Sequence, residues 1–79
     1  MYLAVKDVKS IENYKLILTF EDVSIKLFDM KPFIKKGIFK ELRDKALFET
    51  VKVSFDTIEW SNGADIDPEM LYEDSIPYL

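Results

Sequence analysis

The chain has no cysteine and no histidine, and only two glycines and three prolines among its 79 residues. Without cysteine there is no disulfide framework, zinc ribbon or thiol chemistry. Without histidine the usual neutral-pH general base is missing, and so is the commonest transition-metal ligand. Long apolar runs are missing too. Segments such as Leu16–Leu18 fall far short of the roughly 20 residues needed to cross a bilayer. The opening MYLAVKDVKS has no signal-peptide pattern. These absences lead us to expect a soluble, cytoplasmic protein without a membrane partner. Length allows a single domain over residues 1–79, with a radius of gyration of roughly 11–12 Å. An apolar content of 48% is enough for one small core.

Positive charge is absent from the last third. Residues 56–79 hold seven acidic groups and no basic one, whereas residues 31–45 hold six basic groups (Lys31, Lys35, Lys36, Lys40, Arg43, Lys45) and two acidic ones. The basic segment invites a nucleic-acid reading, which depends on a surface that attracts phosphate. The overall net charge of −4 opposes it. A lysine-rich solvated face is the plainer account of residues 31–45.

What is present is mostly strand-like. Residues 14–20 alternate, with Tyr14, Leu16, Leu18 and Phe20 on one face. Val23, Ile25 and Leu27 repeat the alternation, with Ser24, Lys26 and Phe28 opposite, and Glu21-Asp22 suggests a tight hairpin between the runs. Residues 2–9 form a weaker strand able to pair with 14–20. The period changes after Asp29. Pro32 opens a helical turn, Gly37 interrupts it, and residues 38–44 place Ile38, Phe39 and Leu42 at helical spacing. Residues 49–55 return to period two, with Val51, Val53 and Phe55 expected inward, and a second hairpin leads to residues 58–60. The expected architecture is α+β: a small antiparallel sheet of about five strands in the order β-β-β-α-β-β-α, with short helices packed on one face.

The stretch IEWSNGADIDPEMLYED, residues 58–74, holds the single tryptophan and six carboxylates. Ser61-Asn62-Gly63 reads as a tight turn, because Asn and Gly tolerate positive φ. Asp67-Pro68 reads as a helix start, with Asp67 capping free N–H groups and Pro68 at the first helical position. Glu69 then lies near the positive end of the helix dipole. Trp60 reads as a core or boundary residue whose indole N–H needs a partner when buried. Asp65 has no evident structural duty. A calcium reading of Asp65, Asp67 and Glu69 fails because Pro68 and Met70 occupy positions unsuited to an EF-hand loop and residue 76 is Ile, not Glu. We therefore expect no metal and no cofactor. Serines without histidine, and carboxylates without a cleft, also give no expectation of enzyme activity.

LTFED, VSIKLFDMKPF, GIFKELRD, LFETVKV and IEWSNGADIDPEMLYE together resemble the bacterial family known as domain of unknown function 2442, over about residues 2–74. The most specific part is matched by Trp60, Asn62, Gly63, Asp65, Ile66, Pro68, Leu71 and Tyr72. Val23 departs from the resemblance, standing where relatives often carry a turn glycine. The resemblance implies a small α+β domain without an established activity. It also implies an antitoxin-like role, as the neutralising partner of a co-encoded small protein.

The expected function is thus a non-enzymatic protein-interaction module. Its contact residues would be Trp60, Asn62, Asp65, Glu69 and Tyr72, facing a small basic protein, since complementary charge speeds encounter and selects partners. The alternative is a nucleic-acid-associated regulator using residues 31–45. A homodimer fits either reading, because short sheets expose edges. In the tail SIPYL, residues 75–79, Ile76, Tyr78 and Leu79 would either dock on their own core or add to a sheet edge of another chain.

Overall fold

The computed structural model describes residues 3–78. Strand β1 (Val5–Ile11) runs antiparallel to β2 (Lys15–Phe20), which runs antiparallel to β3 (Ile25–Asp29). The alternation of residues 14–20 holds: Leu16, Leu18 and Phe20 are buried. The first turn uses left-handed backbone at Asn13 and Tyr14, with φ of 65° and 58°. Asn accepts this region readily, whereas Tyr does so at a cost.

The expected phase of the next run is reversed. Strand β3 begins at Ile25, after a four-residue connection in which Phe20 N–H donates to Ser24 O and Val23 N–H donates to Phe20 O. Val23 lies outside the strand, 72% exposed, with φ of 62°. The register pairs Leu16 with Phe28 and Leu18 with Lys26, so Phe28 faces the core and Leu27 faces the other way. A one-residue shift in the start of a strand inverts every side chain in it. Here the inversion buries Phe28 and sets Met30, beyond the strand, in the core as well.

After β3 the chain makes turns over 31–35, a 3₁₀ helix at Gly37–Arg43, and helix α1 (Lys45–Phe48). Gly37, at φ of 54°, separates the turns from the helix, as the sequence suggests. Asp44 caps α1 by accepting the Ala46 N–H at 3.0 Å. Strands β4 (Lys52–Ser54) and β5 (Thr57–Glu59) form a separate two-stranded sheet. The expectation that Phe55 points inward is overturned. The hairpin closes at Ser54 and Thr57, so Phe55 and Asp56 are the loop itself. A residue beyond the last strand pair has no inner face to occupy, and Phe55 is 99% exposed with φ of 56°.

Helix α2 (Pro68–Asp74) then leads to β6 (Ile76–Pro77), which pairs with β3 through Lys26–Pro77 and Leu27–Ile76. The larger sheet thus has the order β1-β2-β3-β6. Residues 76–77 neither dock in the core nor need a second chain: they add an edge strand to the chain's own sheet, where Ile76 stays exposed and Pro77 is tolerated. The α+β architecture stands, with six strands in two sheets among the described residues where one sheet of about five was expected. The core is one cluster: Leu16, Leu18, Phe20 and Phe28 from the large sheet, Ile58 and Trp60 from and beside β5, and Leu42, Phe48 and Leu71 from the helices. The radius of gyration is 11.5 Å, and no helix among the described residues is long and apolar enough to cross a membrane.

Candidate partner-binding surface

The residues singled out between Trp60 and Tyr72 divide sharply by environment. Trp60 is 1% exposed, and its indole N–H donates to Phe48 O at 3.0 Å. Phe39 meets its ring edge-on and Phe48 lies tilted against it. The turn that follows is built as its composition predicts: Gly63 takes φ of 89°, and its N–H donates to Trp60 O. The Asn62 side chain accepts the Ala64 N–H and donates to Glu41, tying the turn to the 3₁₀ helix. Asp67 caps α2 by accepting the Glu69 N–H at 2.8 Å, with Pro68 in the first turn.

Tyr72 is half-buried and packs edge-on against Phe20 at 5.1 Å. Its other partner is Lys26, which the sequence pattern did not mark. Lys26 lies on the helix-covered face of β3, with Nζ 3.8 Å from the Tyr72 ring centroid. The same ammonium donates to Tyr72 O at 2.9 Å. It therefore satisfies a carbonyl near the C-terminus of α2, where the dipole favours a cation, and it gains the attraction of the ring face. This explains how a lysine occupies an inward position: its stem crosses the core face and its charge finds two partners.

The Asp65 and Glu69 side chains are exposed. Backbone pairing between Glu59 and Asp65, and a Thr57 Oγ1 hydrogen bond to Ile66 O, lay this acidic segment along β5. Thr57 is two residues from Phe55, so Asp65 and Asp67 run toward the tip that carries the exposed ring. A second left-handed residue approaches from the large sheet. Ala4 donates to the Glu21 carboxylate and accepts from the Glu21 N–H, while Val5 donates to Asp56 O. Through Ala4 and Val5, the Glu21–Ser24 connection and the Phe55 loop share one end of the molecule. Val23 and Phe55, both exposed and both at positive φ, therefore project from the same end, beside Glu21 and Asp22.

Asp22 is fixed there by its own turn. Its carboxylate accepts from Ser24 Oγ at 2.6 Å and from Ser24 N–H at 3.0 Å. The Ser24 hydroxyl, followed by the Ser24 amide, holds its pKa below the ordinary aspartate value.

The expected basic segment also acquires a shape. Lys31, Lys35 and Arg43 rim an open groove at the opposite end of the large sheet, with Tyr14, Pro32 and Ile34 as its apolar lining. Tyr14 is fixed by donating its hydroxyl to Arg43 O at 2.5 Å and by an edge-on contact with Phe48. No group of three or more acidic side chains converges as a metal site among the described residues.

The surface feature with no folding duty is thus an exposed apolar tip bordered by carboxylates, on a chain whose class is a small α+β fold. The chain belongs to the family described as "Protein of unknown function (DUF2442)", whose sequence pattern matches residues 5–77. No curated protein and no solved structure matches the chain.

The sequence pattern found the acidic segment and missed Phe55. The available signal was the four-residue string Ser54-Phe55-Asp56-Thr57, flanked by two short runs, which reads equally well as a two-residue hairpin loop.

Proposed function

We propose that this protein acts by binding another protein and catalyses no reaction, as the antitoxin-like partner of a co-encoded small basic protein. The observation that carries the reading is Phe55, a fully exposed aromatic held in left-handed backbone at a hairpin tip. Gly, Asn or Asp fits that backbone better than a bulky residue does, so folding alone does not favour Phe there. Strain of this kind concentrates at functional positions, and exposed aromatic rings are frequent centres of binding energy. Glu21 and Asp22 at the same end give the tip an acidic border, and Asp65 and Glu69 add exposed carboxylates to the acidic last third of the chain, which favours a basic-rimmed apolar pocket on the partner. Trp60, Asn62 and Tyr72 are engaged within the fold, Trp60 with Phe48 and Phe39, Asn62 with Glu41 and Ala64, and Tyr72 with Phe20 and Lys26.

The test is affinity capture of the tagged protein from its own cells, beside folded Phe55→Asn and Asp65→Lys variants. A small basic protein held by the parent chain and lost with both variants is the expected result. Retention of that protein by Phe55→Asn would remove the tip from the interface.

A second reading is favoured by the groove of Lys31, Lys35, Arg43 and Tyr14: association with a nucleic acid strand, by charge and ring stacking. It requires binding of labelled DNA or RNA at low salt that falls steeply as salt rises. Absence of binding at low salt would dismiss it.

A further inference from the structure

We infer that the acidic tip of one copy docks in the basic groove of a second copy, giving head-to-tail self-association. The two surfaces are complementary in charge, and both carry apolar side chains. The tip presents Phe55 and Val23, exposed and apolar, beside Glu21 and Asp22. The groove presents an apolar lining of Tyr14, Pro32 and Ile34 under Lys31, Lys35 and Arg43. Each is incomplete alone: the ring at the tip lacks an apolar pocket, and the three cations of the groove lack an anion in the lining that surrounds them.

Neither surface can satisfy the other within one chain. Strand β1 starts at Val5, which is bonded to the tip at Asp56, and ends at Ile11, beside the turn that carries Tyr14. Seven extended residues separate the two ends by about 20 Å. The contact joins different patches on the two copies: made twice about a two-fold axis it closes a dimer, and made once per pair it is heterologous. The heterologous form builds rings or open chains. Any partner that uses Phe55 would compete with the second copy.

This inference rests on the reading of Phe55 as a contact residue. It is nevertheless tested on the pure protein, so failure to capture a different partner leaves it intact. The experiment is sedimentation equilibrium of the full chain over a concentration series to about 1 mM, where weak association becomes visible. Two variants are compared: Phe55→Asn, which removes the ring, and a Lys31→Glu, Arg43→Glu double variant, which reverses the rim. Far-ultraviolet circular dichroism and Trp60 emission check that each is folded.

The parent chain should show an average mass rising with concentration, and less so at high salt as the charges are screened. Each variant alone should lose association by about tenfold or more. Mixing the two variants should restore association and stop at a dimer, because one supplies the only intact groove and the other the only intact tip. A strictly monomeric parent chain would overturn the inference. So would a dimer that survives in both variants, or a mixture that stays monomeric while the parent associates. Should the double variant misfold, Phe55→Gly and Lys35→Glu replace the pair, and the mixing outcome is read in the same way.

Discussion

At the residue scale, the most informative positions are those where backbone and side chain disagree. Phe55 and Val23 occupy left-handed backbone that costs a residue with a β-carbon roughly 1–2 kcal/mol, and both side chains point into solvent. Phe55→Gly should therefore raise stability by about 1 kcal/mol, because the relief exceeds the added entropy of an unfolded glycine. A denaturant midpoint that moves upward while partner capture is lost would show stability exchanged for binding. A lower midpoint would mean that the ring contributes to folding. Asp22 offers a second residue-scale prediction. The two Ser24 donors lower its folded pKa, so the associated stabilisation is present above the unfolded value and is lost as pH falls through the folded one. Ser24→Ala should move the Asp22 titration upward toward the ordinary aspartate range, read by carboxyl-carbon NMR. An unmoved titration would show that the hydroxyl is not its main partner.

At the scale of elements, α2 shows local and tertiary causes acting together. Asp67 and Pro68 start the helix through capping and a preset φ, and these are visible in the sequence because they act within one turn. The helix end is controlled from another strand. Lys26 reaches from β3 to the Tyr72 carbonyl and ring, a contact between residues far apart in the chain that no periodicity can announce. Lys26→Met keeps the stem and removes the charge. It should cost about 1–2 kcal/mol through the lost ring and carbonyl contacts and should speed amide exchange in α2 more than in β2. Equal or greater stability would mean that desolvation of the ammonium cancels its contacts.

At the scale of the whole molecule, two sheets share one core. Trp60, just after β5, joins the smaller sheet to the helices: its ring lies against Phe48 and Phe39, and its N–H is bonded to the carbonyl of Phe48, the last residue of α1. Unfolding of a domain this small with a single core should be one cooperative transition. Trp60 fluorescence and far-ultraviolet circular dichroism should therefore give the same urea midpoint. A fluorescence transition at lower urea would show that the β4–β5 hairpin and its loop melt independently. Trp60→Phe should lower stability by about 2–3 kcal/mol, from lost volume and an unpaired Phe48 carbonyl.

Legibility follows the range of the forces involved. The inward set Leu16, Leu18 and Phe20, the Asn62-Gly63 turn, the Asp67 cap and the Trp60 hydrogen bond all have causes that lie within a few residues or in the chemistry of one side chain. The sequence by itself therefore determined the α+β class, the exclusion of thiol and histidine chemistry, and the concentration of carboxylates near the chain end. The tertiary structure alone decided that β3 turns Phe28 inward, that Phe55 leaves the core for a loop tip, and that residues 76–77 close the sheet edge. Each depends on register between distant segments, and a shift of one residue inverts the face a side chain occupies. The placing of Val23 and Phe55 at one end, and of Tyr14 with Lys31, Lys35 and Arg43 at the other, belongs to the same class of outcome: pairing between distant segments sets it, and no local pattern in the chain encodes it.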